Sequence, residues 1–334
     1  MKITDMPFIS RVLVNVCTKL DLKIVFEKEY GYAGYIVTSS GKRLFFNNGR
    51  FDINPGGAID IANDKAYTTY FLKSFGFSVP CEKTFFNDTH NSKLQIKRNI
   101  NDGLDFALSI GFPVIVKPNS LSQGKCVFKV NSKDEYYKAS NVILKANPVM
   151  LVQKYYAGKD YRFVIFNKKL YACYQKIPLS IVGNGYSNVL ELINDKKFQL
   201  EKLKRNFNLD VYKDQVLMVL SRNGLSFDSI LDEGKIFYLL DNANASSGGD
   251  VIDMTNEVSP FFSGIAIDAV SSMNLNFAGV DMIIDNISSE SDYTILEINS
   301  APSMSNFSKV GDEQEKIVER LYFDLLSYLV RYYQ

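Results

Sequence analysis

The sequence predicts an α+β fold built in two or three lobes, and three observations carry that expectation. The chain has 334 residues, enough for a large core and for more than one lobe. Short strand-like runs interleave with longer runs of helical periodicity, so neither period dominates. The composition, 46% hydrophobic and 22% charged, is that of an ordinary globular chain.

The elements follow in order. Phe8, Ile9, Val12, Leu13 and Val16 recur at helical spacing, which predicts a helix over 8–20. The strand-like runs LKIVFEKE, GYIVTS and KRLFFNN come next, and Pro-Gly-Gly at 55–57 marks a turn. Residues 58–75 read as one helix ending at Gly76, a natural C′ residue. GFPVIVKPN is a compact buried strand, followed by the polar stretch SLSQGK and the strand CVFKV. A helix is predicted from Ser132 to Lys145, with Ser132 as cap and Glu135 at the capping-box position. VMLVQKYY, RFVIF and KLYACYQKI are strands, the last two joined by a turn at Asn167-Lys168-Lys169. A charged helix is expected over 189–206. The tail from Glu313 to Tyr333 is amphipathic, with apolar positions 317, 318, 321, 322, 325, 326, 329 and 330, and reads as core packing.

Several function classes are excluded. The net charge of +1 leaves no global footprint for nucleic acid or an acidic membrane. Cys17, Cys81, Cys126 and Cys173 show no CxxC spacing, which argues against zinc and against a disulfide framework. His90 is the single histidine, in the polar run NDTHNSK, so a Ser-His-Asp or Cys-His mechanism and a His-rich metal site are not expected. Any metal must be held by oxygen ligands, which favours Mg²⁺. Arg11, Asn15 and Lys19 interrupt the N-terminal apolar residues, so no secretory signal is read there. No run reaches the roughly 18 apolar residues of a membrane helix. A cytoplasmic protein is the expectation.

Three stretches carry chemistry. The first is the pair AGVDMIID and YTILEIN, separated by the turn NISSESD. Strand alternation puts Asp281, Ile283 and Asp285 on one face, and Ile295, Glu297 and Asn299 together, opposite Thr294, Leu296 and Ile298. A hairpin centred near residue 289 sets Asp281 directly across from Glu297. Like charges there repel, and a divalent cation would relieve them, with Asn299 as a neutral oxygen ligand. The alternative is a hairpin of solvated or lysine-paired acids. The second is VIVKPNSLSQGKCV, where Lys117 ends an apolar strand before a Gly-containing loop whose N–H groups could cradle phosphate. Alternatively, that lysine snorkels into water. The stretch is neither a Walker P-loop nor a Rossmann fingerprint. In the third, LVQKYYAGKDYRFVIFNKKLYACYQKIP, a strand edge could meet a purine. Asp160 could accept ribose hydroxyls, and Arg162 and Lys176 alternate onto anion-binding faces. An ordinary charged hairpin is the competing reading.

The order of these pieces resembles the ATP-grasp superfamily from about Asn63 to Phe307. KDYRFVIFNKKLYACYQKIP, IVGNGYSNVLELI, NANASSGGDVIDMTNEVSP and EINSAPS are most similar to the ATP-grasp unit of cyanophycin synthetase and of bifunctional glutathione synthetases. The resemblance implies a three-lobed fold with ATP between central and C-terminal α+β lobes: 1–85 on the substrate side, 86–152 carrying the lid, and 153–334 carrying the Mg site. It implies ATP and Mg²⁺ as cofactors. Lys65 would reach the phosphates from the first lobe, Lys117 would lie near the α-phosphate and adenine, and the loop with Ser120, Ser122, Gln123 and Gly124 would be the phosphate lid. Gln153, Lys154 and Tyr156 would surround adenine, and Asp160 would take the ribose. Asp281, Glu297 and Asn299 would hold the metal, with Arg162 and Lys176 beside the transferring phosphate and the acyl group. The sequence departs from the family pattern at Gln153, where an acid is usual, and at Lys125-Cys126, where a second glycine is common. It also reads APS for APG, and LLDNAN lacks the arginine often found before this loop.

The activity implied is an ADP-forming carboxylate–amine ligase acting on an amino acid or short peptide through an acyl phosphate. Its partners would be a carboxylate and an amine, small-molecule or peptide, and a homodimer is implied by family analogy. An ATP-grasp kinase and a nucleotide-binding protein that has lost its chemistry stand as alternatives. Replacing Glu297 or Asp281 by alanine is expected to abolish ATP turnover and leave the fold intact.

Overall fold

The computed structural model describes residues 6–94, 96, 98–205 and 207–333. The first five residues and Asn206, the end of the helix expected over 189–206, lie outside them. Helix α1 (Phe8–Lys19) leads into an antiparallel meander of β1 (Lys23–Phe26), β2 (Ala33–Val37), β3 (Arg43–Asn47) and β4 (Arg50–Phe51). The single helix expected over 58–75 is two, α2 (Gly56–Asn63) and α3 (Lys65–Ser74). Asp64 makes the break: its backbone is extended and its carboxylate caps α3 by accepting the Tyr67 N–H at 2.9 Å.

A second antiparallel sheet, in the order β5-β8-β6-β7, consists of β5 (Glu82–Phe86), β6 (Val114–Pro118), β7 (Phe128–Val130) and β8 (Val149–Lys154). Helices α4 (Asp88–Leu94), α5 (Ile100–Ile110) and α6 (Lys133–Ala146) connect its strands. Ser132 caps α6 as expected, accepting the Glu135 N–H at 3.2 Å, but the Glu135 carboxylate turns to Asn131 N–H. Because strand side chains alternate, Val114, Val116, Met150 and Val152 pack beneath Leu104 and Ala107 of α5 and Tyr136 and Ile143 of α6. Ile115, Lys117 and Gln153 are left on the other face.

The third sheet, in the order β13-β10-β9-β14-β15, consists of β9 (Lys159–Phe166), β10 (Lys169–Lys176), β13 (Val251–Asp253), β14 (Phe277–Ile284) and β15 (Tyr293–Asn299). Between β10 and β13 the chain makes a two-stranded ribbon, β11 (Ser180–Val182) and β12 (Ile236–Tyr238), with α7 (Val189–Lys202) and α8 (Leu209–Arg222). These elements share a core of their own, around Leu192, Val216 and Leu239. Helices α9 (Pro260–Ser272) and α10 (Asp312–Tyr332) complete the chain.

The third sheet is buried on both faces. Tyr161, Phe163, Ile165, Val280 and Met282 pack under α9, joined by Ala62 of α2 and Leu72 of α3. On the opposite face, Val164, Phe166, Ala172 and Tyr174 pack against α1, the meander and α10. The tail helix buries Val318, Leu321, Tyr322, Leu325, Leu326 and Leu329 there, in keeping with its predicted stripe. Each buried leucine of that stripe is worth roughly 2 kcal/mol in area removed from water. Beyond the helix-covered half, the same face continues as Asp160, Arg162, Lys176 and Asp281, and polar side chains replace apolar ones. Among the described residues no helix is long and apolar enough to cross a membrane.

Candidate functional site

The register of the third sheet gathers the charged residues. Asp160 pairs with Lys176 across β9 and β10, and Arg162 pairs with Asp281 across β9 and β14. Asp281 faces Glu297 across β14 and β15, as the hairpin arithmetic predicts. A β-bulge then shifts the ladder, so that Met282 faces Ile295 and Leu296 is passed over. The bulge corrects the simple alternation expected for YTILEIN. Leu296 turns to the cavity beside Ile283, while Ile295 sinks into the core under α9.

The repulsion between the opposed acids is answered by cations of the protein itself. Asp281 is 2% exposed. Arg162 donates to its two oxygens from Nε and Nη2, both at 2.6 Å, and Lys176 donates to Oδ2 at 2.9 Å. Arg162 Nη2 also lies 3.8 Å from Glu297 Oε1, and Lys65 Nζ lies 3.6 Å from Glu297 Oε2. Asn299 donates to Glu297 Oε1 at 3.1 Å. Burial works against an ionised Glu297, but the charges of Lys65, Lys176 and Arg162 and the Asn299 bond outweigh it and hold the carboxyl well below its ordinary value.

Asp160 behaves differently. The Lys176 ammonium is 2.9 Å from its Oδ1, yet no hydrogen bond is directed at that oxygen. Burial, with the Asp281 charge added and Lys176 opposing, pushes this carboxyl up to about 7. Lys117 does not snorkel. It is 7% exposed, and its ammonium donates to Gln153 Oε1 at 2.5 Å. Burial draws its pKa below the usual lysine value, and Glu82 opposes that fall. Burial in turn raises Glu82, whose two carboxylate oxygens are buried without a hydrogen-bond partner.

A cavity of about 340 Å³ lies between the second and third sheets. Ile115 and Val127 form one apolar wall, Ile283 and Leu296 the other, and Tyr155 and Tyr156 stand at the strand connection. Lys117, Gln153, Asp160 and Lys176 supply its polar lining, and Asn242 and Ala243 close one side. Two apolar walls with an amide and a partly unpartnered acid fit a flat heterocycle joined to a hydroxyl-bearing group. Among the described residues no cluster of three or more His, Cys, Asp or Glu side chains forms a protein-only metal cage. Two carboxylates and one amide instead suit a hard cation that brings phosphate oxygens as its remaining ligands.

No protein-family model matches the chain. The chain is 29% identical over 283 residues to the glutathione biosynthesis bifunctional protein of Clostridium perfringens, covering 78% of this chain and 34% of that protein. It is 32% identical over 201 residues to the cyanophycin synthetase of Geminocystis herdmanii, covering 58% and 23%. Among solved structures, a bifunctional glutathione synthetase from Pasteurella multocida superposes with a TM-score of 0.56 at 21% identity, over 91% of this chain and 41% of that one. A D-alanine–D-alanine ligase from Bacillus anthracis gives 0.52 at 14% identity, over 84% and 72%. The fold is that of the ATP-grasp ligases. By sequence the chain is related to bifunctional glutathione synthetases and cyanophycin synthetases, and it spans about a third or less of the length of these curated relatives.

Within the ATP-grasp fold the expected residues divide into two groups. Lys117, Gln153, Tyr156, Asp160 and Lys176 line the cavity. Arg162, Asp281, Glu297 and Asn299 form the adjoining charged row, which Lys65 reaches from α3. Ser120, Ser122, Gln123 and Gly124 do not line the cavity: their loop is held against α3 and α8, with Lys65 donating to Leu121 O at 2.9 Å. Lys154 is exposed and does not line the cavity, whereas Tyr155 does. Another residue missed from sequence is Arg205. From the connection between α7 and α8 it donates to Gly249 O and to Asp250 Oδ1, the latter at 3.1 Å, and so reaches the NANASSGGD loop that lacks its preceding arginine. Nothing in its sequence neighbourhood marks that contact.

Proposed function

We propose that this chain is an ATP-dependent, ADP-forming carboxylate–amine ligase acting on an amino acid or short peptide. The observation that carries the reading is the cross-strand row in which Arg162 bridges Asp281 and Glu297, beside a cavity walled for a purine. The 120–124 loop of the second sheet acts as the lid, and the N-terminal elements border the substrate side. Asp281, Glu297 and Asn299 would hold Mg²⁺, which would add a divalent charge against the phosphates.

The protein's own part is positioning and charge. Lys65 and Lys117 fix the phosphates. Arg162 and Lys176, already oriented by Asp281, hold the substrate carboxylate in line with the γ-phosphorus. A carboxylate oxygen takes the phosphoryl group and ADP departs. The amine then attacks the acyl carbonyl, phosphate leaves, and the amine proton passes to solvent or phosphate. No side-chain nucleophile is required, which suits a chain with one histidine.

The test is ADP release with Mg-ATP across a panel of amino acids and dipeptides, with mass analysis of the products. A product one water lighter than its two parts is expected. A phosphorylated product that consumes no amine would overturn the ligase reading in favour of a kinase.

A further inference from the structure

Residues 119–127, between β6 and β7, are held by side chains from outside their own sheet. From α8, Tyr212 Oη donates to Gln123 O at 3.0 Å. Gln215 commits its entire carboxamide. Nε2 donates to Gly124 O at 3.1 Å and to Val127 O at 2.9 Å, while Oε1 accepts the Cys126 N–H at 3.1 Å. The same Nε2 lies 3.3 Å from Oδ1 of Asn242, a residue of the cavity wall. Gln215 is 5% exposed, and its position three residues after Tyr212 presents both side chains from one helix face.

The loop has little freedom to do otherwise. Gln123, Gly124 and Cys126 have φ of 63°, 71° and 55°, left-handed values that the two non-glycine residues adopt only when their surroundings impose them. A Cβ on Gly124 would collide with the Asn242 amide, so the loop is seated directly on the Asn242 loop. Only an amide offers both N–H donors, two shared among three oxygens, and an acceptor to one N–H at this point. A carboxylate of the same shape would face Gly124 O, Val127 O and Asn242 Oδ1 with no donor.

We propose that Gln215 is a positioning residue for the lid: its carboxamide latches the 120–127 loop to α8 and to the Asn242 loop, so that both loops move as one unit with the α7–α8 insertion. Its consequence for nucleotide binding rests on the function proposed above; the latch itself does not. Lys125 lies inside the held segment, so trypsin cleavage after Lys125 reads release of the loop without any substrate.

The experiment follows that cleavage in wild type, Gln215→Glu and Tyr212→Phe, with and without Mg-ATP, alongside the melting temperature of each. Cleavage after Lys125 is expected to accelerate on the order of tenfold in Gln215→Glu and severalfold in Tyr212→Phe, as a local opening loses its hydrogen bonds. Cleavage after Lys138 in α6 should stay at the wild-type rate. The Mg-ATP concentration giving half protection should rise in Gln215→Glu. Wild-type cleavage at Lys125 in both variants, with melting unchanged, would overturn the latch. If Gln215→Glu does not fold, Tyr212→Phe decides: selective acceleration at Lys125 supports the proposal, and the wild-type rate refutes it. Failure of Mg-ATP to protect the wild type would overturn the nucleotide reading and leave the latch to stand on the rates without nucleotide.

Discussion

Asp281 and Glu297 are both proposed as metal ligands, but they differ in what the protein loses without them. Asp281 is 2% exposed and accepts three charged N–H donors, two from Arg162 and one from Lys176. Asp281→Asn keeps the shape and removes the charge, leaving two buried cations to share Glu297 and Asp160. Breaking a buried pair from one side costs about 3–5 kcal/mol. Glu297 is 28% exposed and its cations stand off at 3.6 and 3.8 Å, the geometry of a partly screened pair worth roughly 1 kcal/mol or less. The expectation that either acid can be removed with the fold intact is therefore kept for Glu297 and narrowed for Asp281, whose removal should cost stability as well as turnover. Both variants should stop ADP release, but Asp281→Asn should also melt on the order of 5 °C or more below Glu297→Gln. Thermal unfolding beside an ADP assay measures both. Equal melting of the two variants would refute the ion-pair reasoning, and wild-type turnover in folded Glu297→Gln would refute the metal assignment.

Three further outcomes follow. Glu297 is held below its ordinary value of 4.5, so its stabilising contribution is complete above that pH and is lost as pH falls through the depressed value. The stability difference between wild type and Glu297→Gln should stay level from about pH 8 to 5 and shrink below about pH 4; a difference that persists undiminished in acid counts against it. Asp160 shifts the other way, from 3.8 up to about 7, so its contribution is present at low pH and is lost as pH rises through about 7. The wild type should lose stability between about pH 4 and 7 by a component absent from Asp160→Asn, and parallel stability curves would contradict this. Lys117→Met removes a buried ammonium at little change in volume and leaves the Gln153 carbonyl without its donor, at a cost of about 1–3 kcal/mol. Mg-ATP affinity by calorimetry should nevertheless fall at least about tenfold, and unchanged affinity would remove Lys117 from the nucleotide site.

How much was legible in the sequence depended on the range of the interaction. The Asp281–Glu297 register was readable because it is set by a local turn. The bulge at Leu296 was not, because one extra residue leaves no compositional mark and still exchanges the faces of Leu296 and Ile295. The break between α2 and α3 carried a signal that was passed over: Asp64 is a good N-cap residue in the middle of an apolar periodicity. Strand β5 and helices α5, α8 and α9 were not assigned, although Asn99 and Ser259, the caps of α5 and α9, are ordinary start residues. The anchoring of the proposed lid loop was beyond sequence reading altogether. Gln215 meets Gly124 across 91 residues and Arg205 meets Gly249 across 44, and periodicity reports only which face of a helix is apolar, never which loop its polar face will hold.

The electrostatics explain why such a site is stable before any nucleotide enters. Four cations, Lys65, Lys117, Arg162 and Lys176, converge with four acids, Glu82, Asp160, Asp281 and Glu297. Burial pushes two of the acids, Glu82 and Asp160, toward the neutral form, while Glu297 is held ionised by its neighbours and Asp281 receives three charged donors. The tendency of the first two toward the neutral form weakens the negative charge that faces the cations in a cleft between two sheets, where field lines are focused. The cations stand on the strands of both sheets and on α3, and Arg162 and Lys176 are paired directly with Asp281. A polyphosphate carrying a divalent cation would bring negative charge to these cations and supply the oxygen ligands that two carboxylates and an amide leave open. The ion pairs of Arg162 and Lys176 with Asp281 thus serve in the free protein to hold in place the cations that the reaction would use.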